Sequence, residues 1–149
     1  METQPKHGTE SIITPELEVL NLKESLQFYV RTLGFRILFE RPEEKFAYLT
    51  LNGAGLMLEQ LGVGRSFHGT PLVRPYGRGV NFQIRVEDVQ AVLLRVQAAG
   101  AQLVIALEER WYRHGPSEHG NRQFVVADPD GYLLRFFQDL GPRPLAGSA

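Results

Sequence analysis

The chain has no cysteine and a single tryptophan among its 149 residues. The first absence excludes disulfide frameworks, zinc–thiolate sites and cysteine nucleophiles. No apolar run approaches the ~18 residues of a membrane span, and METQPKHGTES lacks the apolar core of a signal peptide. Charge of one sign is also missing: 16 Lys and Arg against 17 Asp and Glu give a formal net charge of −1. That balance offers no electrostatic footprint for nucleic acid. These absences imply a soluble, cytoplasmic protein with no membrane or nucleic-acid partner. What is present is ordinary for a globular chain, with 43% hydrophobic and 22% charged residues. The length suits one domain, or two small modules sharing a core. The polar, Gly- and Pro-rich ends, roughly 1–11 and 141–149, read as loose.

The order of elements is written twice. ELEVL (16–20) alternates as a strand does. In NLKESLQFYVRTLGF, Leu22, Leu26, Tyr29, Val30 and Leu33 share one helical face, with Asn21 as N-cap, Glu24 at N3 and Gly34 as the stop. Three strand-like runs follow, FRILFE (35–40), FAYLTL (46–51) and GLMLEQL (55–61), with the hairpin signal Asn52-Gly53 between the last two. The second half repeats this. VNFQIRV (80–86) alternates, Asp88 caps a helix with the stripe Val89, Val92, Leu93 and Val96, and Gly100 ends it. Strands are expected at 101–107, 122–127 and 132–138, the last after the turn Asp128-Pro129-Asp130-Gly131. A shift of about 67 residues superposes the two helix stripes. The chain thus reads as an α+β protein of two β-α-β-β-β modules, 12–61 and 80–140, joined by a linker at 62–79 into one compact domain. Modules this small bury too little alone, so one face of each mixed sheet packs its helix and the other meets a shared cleft, within the chain or in a dimer.

Alternation assigns Phe46, Tyr48, Met57, Glu59, Asn81, Gln83, Arg135 and Phe137 to the cleft face. Leu49, Leu51, Leu56, Leu58, Val80, Phe82, Ile84, Leu134 and Phe136 fall on the far more apolar opposite face. A mixture of aromatic and hydrogen-bonding groups suits a ligand pocket; the bland alternative is that these groups satisfy one another at a module or dimer interface. RWYRHGPSEHGNR (110–122) reads as a long loop. Either it covers the cleft, offering Trp111 and Tyr112 for stacking and Arg113 or Arg122 for an anion, or its aromatics anchor it to the core. His7, His68, His114 and His119 have neither helical nor same-face strand spacing and read as exposed loop histidines. The serines lack a nucleophile-elbow context, and Gly77-Arg78-Gly79 lacks a phosphate-loop setting.

The early NLKESLQFYVRTLGF and the late ADPDGYLLRF resemble the vicinal oxygen chelate superfamily, which holds glyoxalases, extradiol dioxygenases and bleomycin-resistance proteins. The resemblance covers roughly residues 12–140 and implies a concave cleft. In the metal-dependent members it implies four ligands, falling here on Thr14, Glu59, Asn81 and Arg135, with Glu16 beside the first on the same face. Of these Glu59 is the credible ligand; Asn81 is a poor one for a transition metal, and Arg135 is a permanent cation that cannot coordinate. The resemblance therefore leads to the metal-free, bleomycin-resistance-like branch: no metal, no cofactor, no catalytic residue, and a homodimer that sequesters an aromatic or planar small molecule. The alternative it leaves is a glyoxalase- or dioxygenase-type lyase or oxidoreductase. One departure is the tryptophan, which in that branch stands close to a run like GNRQF (120–124) and here comes earlier, at Trp111. Glu59 and Arg135 are expected to hold equivalent last-strand positions and to form an ion pair, which would lower the Glu59 pKa; the bland alternative is that Arg135 is an interface or surface cation.

Overall fold

A computed structural model describes residues 11–145 of the chain; His7 and the ends beyond lie outside them. The described chain forms two units, divided between Arg74 and Pro75. Each carries one four-stranded mixed sheet, as the α+β reading expects.

The first unit contains β1 (Glu16–Val19), α1 (Leu22–Leu26) running on into a π-helical segment (Gln27–Thr32), β2 (Arg36–Arg41), β3 (Phe46–Leu51) and β4 (Ala54–Gln60). Its sheet order is β1-β4-β3-β2, with β1 parallel to β4 and the other pairs antiparallel. The helix starts where Asn21 Oδ1 accepts the Glu24 N–H at 3.1 Å, which satisfies one of the orphan donors of the first turn. Asn52 and Gly53 both take positive φ, 48° and 87°, as a two-residue hairpin whose twist matches its strands requires. The helical stripe departs from its expected period. Leu26 and Val30 are only half-buried, whereas Ser25 and Phe28 are buried with Tyr29 and Leu33. The π segment closes i→i+5 bonds, such as Leu33 N–H to Phe28 O at 3.0 Å, and this wider turn rotates Phe28 into the core. Tyr29 there meets Phe28 and Phe35 edge-on, at 5.5 and 5.6 Å between ring centroids.

The second unit contains β5 (Asn81–Arg85), α2 (Val89–Ala98), β6 (Leu103–His114), β7 (Ser117–Ala127) and β8 (Leu133–Pro144). The sheet order β5-β8-β7-β6 repeats that of the first, with β5 parallel to β8 and the rest antiparallel. Asp88 caps α2 through Ala91 N–H at 3.1 Å. Val89, Val92, Leu93 and Val96 are buried, together with Leu134, Phe136, Phe124 and Val126 from the sheet. Val80, expected on this apolar face, precedes β5 and is exposed. In the turn before β8, Asp128 Oδ1 accepts the N–H groups of Asp130 and Tyr132, each at 2.9 Å.

The largest difference from the sequence reading is at 110–122, which is not a loop. It is a two-stranded ribbon in which Arg110 pairs with Asn121 and His114 with Ser117. The chain beyond 140 also differs: Gly141 to Pro144 extend β8 along β7, so that stretch is not loose. Charged residues on both ribbon faces leave no apolar alternation to betray a strand.

Candidate functional site

Each sheet has one apolar face on its own helix and one polar face, and the residues of interest divide by unit. On the first, Phe46, Tyr48, Met57 and Glu59 share the polar face: Phe46 stands opposite Glu59, and Tyr48 opposite Met57. Glu16 and Glu18 join them from β1, opposite Met57 and Glu59. Phe46 and Tyr48 are buried rather than open. The Phe39 ring stacks on Tyr48 with centroids 5.1 Å apart, and the Arg41 guanidinium lies 3.9 Å over Phe46. The Tyr48 hydroxyl is held by Ser11 N–H at 3.0 Å and shares a hydrogen bond with Thr14 Oγ1 at 3.2 Å.

Glu59 has acidic neighbours. Partial burial raises its pKa, and the charge and hydrogen bond of Glu16, then Glu18 and Glu44, raise it further. The expected lowering is thereby reversed. The following chain folds back over this carboxylate, so closely that a Cβ on Gly64 would collide with it. His68 Nε2 is 2.7 Å from Glu18 Oε2, and its Nδ1 is 2.7 Å from Thr70 O. His68 is therefore a tethered residue rather than a free loop histidine. With Glu18, Glu59, Gly64 and Arg65 it borders a cavity of about 240 Å³.

On the second unit, Asn81, Gln83, Arg135 and Phe137 share the polar face, Arg135 standing between Gln83 of β5 and Val125 of β7. The ribbon splits the other four candidates. Successive strand residues point to opposite faces, so Tyr112 joins Arg135 while Trp111, Arg113 and Arg122 do not. Arg122 pairs with Glu109 at 3.2 Å, and Arg113 Nε donates to Gly115 O at 3.3 Å. Trp111 lies flat across Gly120, where any Cβ would meet its ring at 2.7 Å, and the Arg143 guanidinium covers it at 3.7 Å. Trp111 thus packs within the ribbon, while Tyr112 borders the cavity on the polar face. Near the ribbon tip His114 and His119 meet edge-on at 4.7 Å; His119 is half-buried in β7, not an exposed loop residue.

Asn81, Glu108, Arg110, Tyr112, Gln123 and Arg135 border a cavity of about 400 Å³ whose remaining wall is apolar. Glu108 and Arg110 were missed by sequence reasoning because β6 extends beyond its apolar stretch, and Gln123 because the strand expected at 122–127 has no assigned face. Gln123 is 3% exposed, and its Nε2 donates to the Tyr112 hydroxyl at 2.8 Å and to Glu108 Oε1 at 3.3 Å. Arg135 Nε is sealed from solvent and has no hydrogen-bond partner.

Glu59 and Arg135 are not equivalent positions. Gln60 caps α1, Gln138 caps α2, and these two glutamines mark the same place in each unit. Counting back from them, Phe137 matches Glu59, and Met57 matches Arg135. The register agrees: Glu59 stands opposite Glu18, and Phe137 opposite Arg85. The expected ion pair joins residues of different units and stays an expectation.

The four ligand positions do not fit a metal. Arg135 has no lone pair to give, Thr14 Oγ1 is engaged with Ser11 O at 3.1 Å, and Asn81 is a neutral amide. Among the described residues no group of three or more His, Asp or Glu is arranged to hold an ion. The same residues include no helix long and apolar enough to cross a membrane.

Two β-α-β-β-β units, each with a polar face opposite its helix, define the glyoxalase type of fold. The chain belongs to the Glyoxalase/Bleomycin resistance protein/Dioxygenase superfamily, whose profile matches residues 15–136. It is 33% identical over 133 residues to an uncharacterized protein of Mycobacterium bovis, covering 84% of this chain and 81% of that one. It is 30% identical to the lactoylglutathione lyase of Haemophilus influenzae, covering 86% and 92%. Among solved structures, TioX from Micromonospora sp. ML1 superposes with a TM-score of 0.67 at 25% identity, covering 89% of this chain and 100% of TioX.

Proposed function

We propose that this is a metal-independent small-molecule binding protein of the bleomycin-resistance type, a cytoplasmic homodimer that sequesters an aromatic or planar ligand. The observation that carries the reading is the cavity of about 400 Å³ on the polar face of the second sheet. Its volume lies in the range of ligand sites, and an apolar wall with a few convergent polar groups is their usual lining. The ligand positions that a metal-dependent relative would use are filled by groups that suit binding instead. A thermal-shift screen of purified protein against aromatic metabolites, glycopeptide drugs and divalent metals tests this, since a ligand of the native state raises the apparent stability. Stabilisation by aromatic compounds supports the reading. Stoichiometric iron, nickel, manganese or zinc in the purified protein overturns it.

A second reading, a lyase, is favoured by the relatives named lactoylglutathione lyase and by Glu59. A carboxylate with a raised pKa is a better base near neutral pH than an ordinary one. Lactoylglutathione lyase activity that Glu59→Gln abolishes would establish this reading over the first.

A further inference from the structure

The first place to look for a ligand's chemistry is a polar atom that the protein itself leaves unmet. Arg135 sits on an interior strand of its sheet, between β5 and β7. Its cross-strand neighbours are Gln83 and Val125, so neither is a carboxylate. Its Nε is closed off from water with no acceptor. A guanidinium never sheds its charge, so a ligand can answer it only through the part of the side chain that borders the cavity. Glu108, the acid of this cavity, is held by Gln123 on the neighbouring strand.

The lining also fixes the charge and shape of what would complete it. Arg110 and Arg135 against Glu108 leave the cavity one net positive charge. A monoanion neutralises that charge, and a dianion such as a phosphate monoester overshoots it beside Glu108. Val104, Ile105, Val125 and Leu133 supply an apolar wall. Arg135 borders this cavity, and a guanidinium matches a carboxylate through two parallel hydrogen bonds. Taking the pocket proposed above as given, we propose that Arg135 anchors a carboxylate. The cavity then takes a small planar monocarboxylic acid whose other end bears an N–H or O–H for Glu108.

Paired probes test this: indole-3-carboxylate, 4-hydroxybenzoate and 1-naphthoate, each against its neutral carboxamide, by calorimetry on the full chain and on Arg135→Gln and Arg135→Lys. The acids bind the wild type more tightly than the amides. Arg135→Gln weakens the acids roughly 10- to 100-fold, the range for a lost charge-assisted hydrogen bond, and leaves the amides unchanged. Arg135→Lys, which keeps the charge without the fork, falls between. The melting temperature of unliganded Arg135→Gln, equal to or above that of the wild type, excludes misfolding as the cause. Amides that bind as well as acids, or acids indifferent to Arg135→Gln, overturn the anchor and leave the pocket standing. If neither acid nor amide binds, the pocket itself fails and the anchor with it.

Discussion

Gln60 and Gln138 make the same contact in the two units. The side-chain oxygen of Gln60 accepts the Leu22 N–H at 3.0 Å, and that of Gln138 accepts the Val89 N–H at 3.2 Å. Each ties the last strand of its unit to the first turn of its helix, where N–H groups have no partner within the helix. Gln60→Ala and Gln138→Ala should each lose about 1 kcal/mol, and the double variant should lose the sum, because the sites share no partner. Urea denaturation of the two single variants and the double checks both statements. A loss in only one variant would mean that the repeat is one of shape and not of energetics.

Trp111 lies over Gly120 and under Arg143, which makes it part of the ribbon's own packing. Trp111→Ala should cost about 2 to 3 kcal/mol through lost burial and the lost cation–π contact, with no effect on the ligand affinities of the opposite face. Gly120→Val should be as damaging, since its side chain must displace the indole. Thermal denaturation beside calorimetry separates the effects. A Trp111→Ala variant of unchanged stability and weakened binding would return the residue to the ligand site.

Glu59 makes an acid-side prediction. Its folded pKa lies above the ordinary value, first through burial and then through Glu16, Glu18 and Glu44. A group whose pKa rises on folding contributes full stability below its unfolded pKa, and that contribution is lost as pH rises through the folded one. Glu59→Gln, a mimic of the protonated form, should therefore stabilise the protein at pH 7, by a small amount because the group is only partly buried. At pH 4 the gain should vanish. Melting temperatures of both proteins across this range decide it; a gain independent of pH would assign the effect to packing.

Much of the fold was legible because local signals agreed with one another. Asn21 and Asp88 marked the helix starts, Asn52-Gly53 the hairpin and Asp128 to Gly131 the turn, and all of them act as read. The site was less legible, for three physical reasons. The ribbon at 110–122 carries charges on both faces, so period two had no apolar face to show. The register of β8 depends on Gln138 reaching the helix, which no spacing reveals, and it moved Arg135 two places away from Glu59's equivalent. His68 meets Glu18 only because the linker folds back, a contact 50 residues apart in sequence.

That last contact predicts a second pH response, opposite in setting to a free histidine. His68 is exposed, and its pKa is raised first by the hydrogen bond to Glu18 and then by Thr70 O. The charged groups around it are Glu18, Glu59 and Arg65; of these Glu18 favours its proton, and partial desolvation opposes it. Its raised pKa places the tether's contribution below the unfolded value and removes it as pH rises through the folded one. The segment from Gly62 to Thr70 should accordingly be cut more slowly by a protease of broad specificity at pH 6 than at pH 8.5, relative to an unstructured peptide of the same sequence. His68→Gln should remove that difference while leaving the global melting temperature close to that of the wild type. Equal cutting of the wild type at both pH values would show that the Glu18–His68 contact does not hold the linker down.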